Sequence, residues 1–432
     1  MSDSALSVLL AGQIAAELNR TSGGKLQLRY DDNYRANPAA TPLSASMPLS
    51  SAAYDAGVVT PWLWGLLPDD REVLRRWGQE FSVSSASPFS LLATPIGRDC
   101  PGAVQLCPPS EVDELLGRAA EAEPMSEADI ATRLRELHAN RALWLGRDFT
   151  GQFSLGGAQA KTALHRSDGQ WYEASGSLPS THIIKPAIAD LRQSQVNEHV
   201  CLAAADRAGL AAVRTSLETF EDQTAVVVER FDRVRRDAQM HRLHQEDLCQ
   251  ALSIHPDRKY QSDGGPGPSD VAGLLRAVVP GRLATDDVWR FVDALAFNWL
   301  IAGTDAHAKN YALLLHGSWA RLAPLFDVAS FLPYDDSKGH KVTLAMKIGD
   351  GYRLTRADRP GAWQKSASEL GLDAHHVVAR VADVASHVPA AFAEAAADPA
   401  IAECGAEDFA QRLVELISAR VSHCTAILET AV

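Results

Sequence analysis

The chain has 432 residues and a formal net charge of −13, from 41 Lys and Arg against 54 Asp and Glu. A hydrophobic fraction of 46% over this length is typical of a globular protein of two or three domains and excludes wholesale disorder. The acidic balance argues against nucleic-acid binding as the main activity, because neutralising phosphates requires clustered Lys and Arg. It leaves room for anionic ligands held by a few local cations.

The six cysteines are scattered, and no pair has the C-x-x-C spacing of a zinc or redox site, so we interpret them as reduced thiols. Residues 1–20 have no basic leader before their short apolar run, which argues against a signal peptide. The most apolar internal stretch, residues 291–303, is too short to span a bilayer. We therefore expect a soluble cytoplasmic protein without a membrane segment.

Residues 1–107 contain short apolar runs separated by Gly, Pro and Asn, which predicts a small domain of strands and turns with one helix. That helix should follow Asp69 and Asp70, because carboxylates suit the positive end of a helix, and continue over 71–77. Two prolines at 108 and 109 then interrupt regular structure and indicate a boundary.

The next region, 108–235, begins with an acidic helical connector over 110–141, in which Ser126 and Asp129 resemble a capping box. A helix is predicted over 194–209, from apolar residues along one face. Strand patterns are predicted on both sides of it, over 149–166 after a turn, 170–174, 181–186, 213–220 and 224–231.

Beyond residue 235 helices dominate as far as residue 432. They are predicted over 246–252, 269–279, 285–302, 360–370, 375–396 and 407–428. A loop rich in Gly and Pro occupies 260–268. A sheet-rich part followed by a helix-rich part is an α+β order, and two such lobes facing each other provide a cleft.

A run of small residues precedes Lys161, comprising Gly156, Gly157, Ala158, Gln159 and Ala160. Their backbone N–H groups could cradle phosphate oxygens beside the lysine. The run does not match the Walker pattern, and paired glycines also suit an ordinary tight turn, so both interpretations stay open here.

Lys185 ends an otherwise apolar strand, which is unusual because an unpaired buried ammonium is expensive. It resembles the strand lysine of protein kinases, which pairs with nucleotide phosphates and with a helix glutamate. Glu198, on the following helix, is the candidate partner. The alternative is an edge-strand lysine whose ammonium reaches water.

Glu229, Arg230 and Phe231 end a strand where the chain changes from sheet to helix. In a two-lobed kinase-like protein this junction is the hinge, whose backbone groups bind adenine. The alternative is a plain strand end, followed by arginines at 230, 233, 235 and 236 that we interpret as solvated surface.

Asp305 and Asn310 have the D-x-x-x-x-N spacing of a kinase catalytic loop, in which Asp orients the attacking hydroxyl and Asn holds a metal. Asp327 follows two apolar residues, as the metal-binding aspartate of kinases does. Amide and carboxylate oxygens suit Mg²⁺. The rival hypothesis, a transition-metal hydrolase using Asp305 and His307, needs further ligands, and the sequence shows no second cluster for them.

The linear order of these motifs is that of a protein-kinase site, which no single motif establishes. We therefore predict an α+β, bilobal protein-kinase-like fold. It should comprise a small β-rich N-terminal domain (1–107), a sheet-containing lobe (108–235) and an all-helical C-terminal lobe (236–432).

In sequence the chain resembles the HipA family of serine/threonine kinase toxins from bacterial type II toxin–antitoxin systems. Residues 66–69 are similar to a motif of the family's N-terminal domain. The segments that carry the main likeness are residues 153–161, 179–185, 197–198, 228–233, 259–265, 298–310 and 326–327.

The resemblance implies ATP- and Mg²⁺-dependent phosphorylation of a protein serine. It implies the following roles: Asp305 as catalytic base or orienting residue, Lys185 on the α- and β-phosphates with Glu198 as its ion-pair partner, Gly156 to Lys161 as the phosphate loop, Glu229 to Phe231 on adenine, His307 and Asn310 in the catalytic loop, and Asn310 and Asp327 on Mg²⁺. Ser154 matches the family's autophosphorylation serine, and about −2 of added charge there would repel ATP phosphates from the same pocket.

The resemblance also implies partners. The protein substrate would be an aminoacyl-tRNA synthetase, with the glutamate enzyme favoured, and a small HipB-like helix-turn-helix antitoxin would neutralise the toxin. DNA would be contacted mainly through that antitoxin. A different class of function stays open, namely a catalytically weak or inactive nucleotide-binding subunit of a repressor.

Overall fold

The computed structural model describes residues 4–146, 153–237, 239–337 and 339–430. Part of the predicted strand segment 149–166 lies outside the described residues. We name three parts of the molecule by their residues: the N-terminal region (4–107), the sheet lobe (108–235) and the helical lobe (236–430).

The N-terminal region is built on a five-stranded antiparallel sheet with the order β4-β3-β2-β1-β5. Its strands are β1 (Ser4–Leu10), β2 (Gln13–Arg20), β3 (Leu26–Tyr30), β4 (Ala53–Asp55) and β5 (Val104–Cys107), and its helices are α1 (Asp32–Ala36), α2 (Ala56–Gly65), α3 (Arg71–Glu80) and α4 (Pro88–Leu92). The predicted helix is α3, whose N-cap is Asp70. The expectation of a single helix is wrong, because α2 is apolar on most sides and has no amphipathic period to reveal it.

The sheet lobe carries a six-stranded sheet with the order β10-β11-β9-β7-β8-β6. Its elements are α5 (Val112–Gly117), β6 (Ala120–Met125), α6 (Glu127–Ala139), β7 (Thr162–Ser167), β8 (Gln170–Gly176), β9 (His182–Pro186), α7 (Ser194–Arg207), β10 (Thr215–Phe220), β11 (Gln223–Glu229) and β12 (Arg233–Arg236). The capping box of Ser126 and Asp129 is confirmed at the start of α6. The prediction of a continuous helical connector over 110–141 is wrong, because residues 120–125 form strand β6, which pairs with β8.

The helical lobe is dominated by helices but is not entirely helical. Its elements are β13 (Gln239–Arg242), β14 (His244–Asp247), α8 (Leu248–Ala251), α9 (Pro268–Val278), α10 (Arg282–Leu300), β15 (Ala312–His316), β16 (Trp319–Leu322), β17 (Thr343–Ile348), β18 (Gly351–Arg353), α11 (Leu354–Ala357), α12 (Ala362–Leu370), α13 (Ala374–Ala395), α14 (Pro399–Glu403) and α15 (Glu407–Glu429). Strands β14, β15 and β16 form one sheet, β17 and β18 a hairpin, and β13 pairs with β12. The two-lobed α+β class is confirmed, and the expectation of an all-helical lobe is corrected.

Two large hydrophobic cores hold the molecule together. One fills the helical lobe around α10, where Phe291, Phe297 and Trp299 are fully buried. The other runs from the N-terminal region into the sheet lobe, where Trp77 and Trp144 meet edge to face with ring centroids 6.5 Å apart. The N-terminal region therefore packs as part of the sheet lobe, which brings it up to the cleft between the lobes.

Among the described residues, no helix combines the length and the apolar character needed to cross a bilayer.

Candidate active site

A cleft lies between the two lobes, and the end of α2 contributes to its lining. It is lined by residues from both lobes and from the N-terminal region. The predicted site residues that line it are Gly156, Gly157, Lys161, Lys185, Glu229, Arg230, Phe231, Asn310 and Asp327. Folding therefore brings together motifs that lie far apart in the chain.

Lys185 lies near the end of β9 and joins the two lobes through its ammonium group. Its Nζ donates to Oε1 of Glu198 on α7 and to Oδ1 of Asp327, at 2.7 Å each. Burial opposes the charged form, but the two carboxylates hold the pKa of Lys185 above its usual range. The lysine is 5% exposed, so the alternative of an ammonium reaching water does not hold.

Asp327 has a backbone φ of 57°, a left-handed conformation that is strained for a residue with a side chain. The preceding segment is fixed, since Leu325 exchanges backbone hydrogen bonds with Ala211 and Val213. Burial favours the neutral acid, but Lys185 and Lys161 hold the pKa of Asp327 below its usual range. The carboxylate is therefore ionised and held against the cleft.

The loop before Lys161 closes on the lysine itself. Lys161 Nζ donates to the carbonyl of Gly156 at 2.7 Å and lies over the Trp144 ring, 5.0 Å from its centroid. Burial and the nearby charge of Lys185 lower the pKa of Lys161 to about 8. An anion entering the cleft would restore the charged form, which suits a phosphate-binding group.

Gly157 has φ +92°, and a Cβ there would lie 2.9 Å from Lys161 Nζ, so the turn requires glycine. The remaining loop residues face elsewhere. Gln159 lines a second cavity together with Asp305, Ala158 lines a surface groove, and Ala160 packs against the hydrophobic core.

Ser154 is completely buried at the start of this loop. Its N–H donates to the carbonyl of Asp99 at 2.8 Å, and its hydroxyl donates to the carbonyl of Leu66. Both acceptors belong to the N-terminal region, which therefore fastens the loop from outside the kinase-like lobes.

At the predicted hinge, the rings of Phe231 and Phe326 stack 5.4 Å apart beside the cleft. The N–H groups of Glu229 and Arg230 already donate to the carbonyls of Arg214 and Thr181. An adenine would therefore meet the Phe231 ring and the remaining backbone groups of this segment.

The side chain of Arg230 is buried and donates to Asp232 and to Ser180. Arg233 is buried as well and contacts Asp99 and Asp232. The interpretation of all four arginines as solvated surface is therefore wrong for these two, because buried aspartates pair with them.

The catalytic-loop motif follows α10. The carboxylate of Asp305 is 63% exposed and accepts a hydrogen bond from the Tyr260 hydroxyl. The amide nitrogen of Asn310 donates to the backbone carbonyl of Asp305 at 2.7 Å, which fixes the turn between them. Partial desolvation and the charge of Asp327 raise the pKa of Asp305.

His307 lies behind Asp305 and is buried. Its ring meets Tyr260 edge to face at 4.9 Å, and its Nε2 is 3.8 Å from Asp305 Oδ1. Burial and then the charge of Lys259 lower the pKa of His307 to about 3. The imidazole is therefore neutral and supports the loop without adding charge.

The donor set at the cleft fits Mg²⁺. Asn310 uses its amide nitrogen on the Asp305 carbonyl, which leaves the amide oxygen for a cation, and Asp327 offers a carboxylate. These are the hard oxygen ligands that Mg²⁺ accepts beside phosphates. In the described ranges no three His, Cys, Asp or Glu side chains converge into a metal-binding group, so the hydrolase hypothesis finds no ligand set there.

Sequence reasoning missed a buried charge cluster beside the cleft. Asp69 pairs through Oδ1 with Lys309 at 2.9 Å and through Oδ2 with Lys259 at 2.8 Å, and Lys309 also lies 3.5 Å from Asp247. Asp69 was expected at the helix end with Asp70, but only Asp70 caps α3, accepting from the N–H of Glu72. The one sequence signal was that both lysines fall inside segments with other functional residues.

Comparison with known families gives two matches. A model described as "HipA N-terminal domain" matches residues 6–107, and one described as "HipA-like C-terminal domain" matches residues 153–392. The second covers more than half of the chain and contains the cleft residues described above.

Two similar proteins and one solved structure illustrate the relationship. "Putative kinase Y4mE" of Sinorhizobium fredii is 33% identical over 396 residues, which cover 91% of this chain and 92% of the relative. "Serine/threonine-protein kinase toxin HipA" of Shewanella oneidensis is 27% identical over 371 residues, which cover 82% of this chain and 80% of the relative. A solved structure of HipA with HipB and operator DNA, from Shewanella oneidensis MR-1, has a TM-score of 0.84 at 22% identity over 99% of both chains, and shows the shared fold.

Proposed function

Because the chain belongs to the HipA family of kinases, we propose that it is an ATP- and Mg²⁺-dependent serine/threonine-protein kinase toxin. The observation that carries the proposal is the position of Lys185, bridging Glu198 and Asp327 in the cleft that also holds Lys161 and Asn310. Kinases require this pairing of a strand lysine with a helix glutamate beside a metal-binding aspartate.

In this proposal each group has a separate task. Lys161 and Lys185 bind the ATP phosphates, and Asn310 and Asp327 hold Mg²⁺, which neutralises phosphate charge when bound. Asp305 orients the acceptor hydroxyl. As the serine oxygen bonds to the γ-phosphorus, the bond to the leaving ADP oxygen breaks and Asp305 accepts the serine proton.

The exposed carboxylate of Asp305 and the rigid turn behind it support this role. Asn310 holds the Asp305 backbone, and the neutral His307 packs behind it, so the exposed carboxylate is held by a fixed turn. Positioning of this kind supplies most of the catalysis in phosphoryl transfer.

We further propose that autophosphorylation of Ser154 switches the kinase off. The serine is fully buried and hydrogen-bonded to Leu66, so the loop must leave its place before a phosphoryl group can reach the hydroxyl. A dianionic group could not return to this site, since its surroundings offer carbonyl oxygens.

For partners, we propose a HipB-like DNA-binding antitoxin and an aminoacyl-tRNA synthetase substrate, with the glutamate enzyme favoured, in the cytoplasm. A net charge of −13 suits a basic DNA-binding partner and leaves direct DNA contact mainly to it. The domain boundaries at 107 and 235 form part of the same proposal.

The test is phosphate transfer from radiolabelled ATP with Mg²⁺ to a panel of purified aminoacyl-tRNA synthetases. Asp305→Ala should abolish transfer, whereas Asp286→Ala, at an exposed aspartate on α10, should leave it unchanged. Transfer that survives Asp305→Ala would refute the assignment. ATP binding without any turnover in a single-turnover assay would favour the inactive repressor subunit instead.

A further inference from the structure

The buried cluster of Asp69, Lys259, Lys309 and Asp247 joins the N-terminal region to the helical lobe directly beside the cleft. Asp69 is the only one of the four that comes from the N-terminal region. Its side chain is 11% exposed, and those of Lys259 and Lys309 are 17% and 3% exposed. Each oxygen of the Asp69 carboxylate holds a different lysine.

The two lysines belong to the two segments that hold Asp305. Lys259 precedes Tyr260, whose hydroxyl donates to Asp305, and Lys309 precedes Asn310, whose amide donates to the Asp305 carbonyl. The segments are also linked through their backbones, since the N–H of Ala308 donates to the carbonyl of Lys259 at 3.2 Å. Asp69 therefore fastens together both supports of the catalytic aspartate.

The same residue reaches the phosphate loop through its backbone. The N–H of Asp69 donates to the carbonyl of Gly157 at 3.0 Å. Its side chain thus acts on the catalytic-loop side of the cleft and its main chain on the nucleotide side. A substitution at residue 69 removes the side-chain contacts with the two lysines and keeps the backbone hydrogen bond to Gly157, so the two effects can be measured separately.

The charge of Asp69 is needed for this arrangement. Burial opposes ionisation, but Lys309 and Lys259 hold the pKa of Asp69 at about 2, so the carboxylate is ionised throughout the physiological range. Without it, Lys309 would keep only Asp247, at 3.5 Å, and Lys259 would lose the carboxylate it pairs with. A buried cation that loses its partner moves toward water. Such a movement shifts the segments that carry Tyr260 and Asn310.

We propose that Asp69 is a positioning residue through which the N-terminal region sets the geometry of the catalytic loop around Asp305. This inference rests on the proposed kinase function. According to this proposal, the N-terminal region contributes directly to the geometry of the kinase site.

The test compares Asp69→Asn with Asp257→Asn in the full chain. Asp257 pairs with Arg71 across the same interface, but both side chains are largely exposed, so that pair should contribute little. The rate of label transfer from radiolabelled ATP to the synthetase that the wild-type chain phosphorylates gives turnover, and a fluorescent ATP analogue gives nucleotide affinity. A thermal melt monitors folding.

We expect Asp69→Asn to slow turnover about 10- to 100-fold, as a displaced catalytic group does, with nucleotide affinity close to wild type because the backbone contact to Gly157 is retained. Asp257→Asn should match wild type. Wild-type turnover in a folded Asp69→Asn variant would overturn the inference, and so would parallel losses of turnover and nucleotide affinity.

If Asp69→Asn does not fold, Lys259→Met provides the test, because it removes one cation and leaves the contacts among Asp69, Lys309 and Asp247. It should slow turnover at unchanged nucleotide affinity, and an unchanged rate would overturn the inference. An inactive wild-type chain would instead refute the proposed function, and with it the inference.

Discussion

The hydroxyl of Ser154 donates a hydrogen bond to the main-chain carbonyl of Leu66. This contact joins the start of the phosphate loop to the N-terminal region, in a site that water does not reach. A phosphoserine has no hydroxyl hydrogen to donate there and brings three acceptor oxygens toward a carbonyl. The fastened loop and the phosphorylated serine therefore exclude each other.

We expect Ser154→Asp to release the loop and lower ATP affinity at least about tenfold, because a buried carboxylate facing a carbonyl is unfavourable. Ser154→Ala loses one hydrogen bond, worth about 1 kcal/mol, and should keep most of the affinity. Calorimetric titration with a non-hydrolysable ATP analogue measures both. Equal affinities for the two variants would contradict the exclusion.

Lys185→Met should remove activity and also destabilise the fold. The substitution leaves the buried Glu198 and the half-buried Asp327 without their shared cation, and loss of one partner in a buried ion pair typically costs about 3–5 kcal/mol. Chemical denaturation measures the loss. The double variant Lys185→Met/Glu198→Gln should regain part of the stability and stay inactive, with exposed Lys25→Met as control. A single variant as stable as wild type would argue against the bridge.

The hydrogen bond from Tyr260 predicts a shift in pH dependence. Asp305 must be ionised to accept a proton, and its pKa is raised by desolvation, so turnover falls as the pH drops through that pKa. The Tyr260 hydroxyl stabilises the carboxylate and lowers this pKa. Tyr260→Phe should therefore move the acidic limb of the kcat profile to higher pH, measured between about pH 5 and pH 9. Tyr352→Phe, on β18, should not move it, and a shift to lower pH in Tyr260→Phe would contradict the assignment.

Glu246 predicts a pH dependence of stability. It is fully buried, with its carboxyl oxygens accepting from Ser44 and from the N–H of Ala45, and burial raises its pKa to about 8. Because the folded state binds this proton more tightly than the unfolded state does, stability falls as the pH rises from about 4.5 to about 8.

Glu246→Gln replaces the titratable carboxyl with a neutral amide, which keeps a hydrogen-bond acceptor and a donor at this position. We expect it to raise the free energy of unfolding at pH 8 by about 1 kcal/mol or more, since one pKa unit corresponds to about 1.4 kcal/mol. Denaturation curves at pH 5 and pH 8 (about three units apart) measure the difference. Exposed Glu415→Gln is the control. If the free energy of unfolding changes between pH 5 and pH 8 by the same amount in Glu246→Gln and in wild type, Glu246 does not titrate in this range.

Much of the fold was predictable where the signal is local. The α3 cap at Asp70, the capping box of Ser126 and Asp129, and the long helices of the helical lobe all follow from residues within one or two turns of each other. Strands β6 and β14 were missed, because their backbone hydrogen bonds go to partners far along the chain. Pairing of that kind overrides local preference.

The candidate site divides in the same way. The pairing of Lys185 with Glu198 was predictable, since a buried ammonium needs a carboxylate and the next helix offers one. The burial of Arg230 and Arg233 was not, because Asp99, one of the carboxylates that neutralise them, comes from the N-terminal region.

By itself, the sequence determined which chemical groups the protein has and in what order, and with them the kinase-like class of the cleft. Residue type and short-range spacing are enough to predict this class, since a lysine at a strand end or an aspartate before a helix has few chemical roles. Only the tertiary structure decided what Asp69 does, because its partner Lys259 lies 190 residues away along the chain. Electrostatic pairing depends on distance in space, and for these residues folding alone sets that distance.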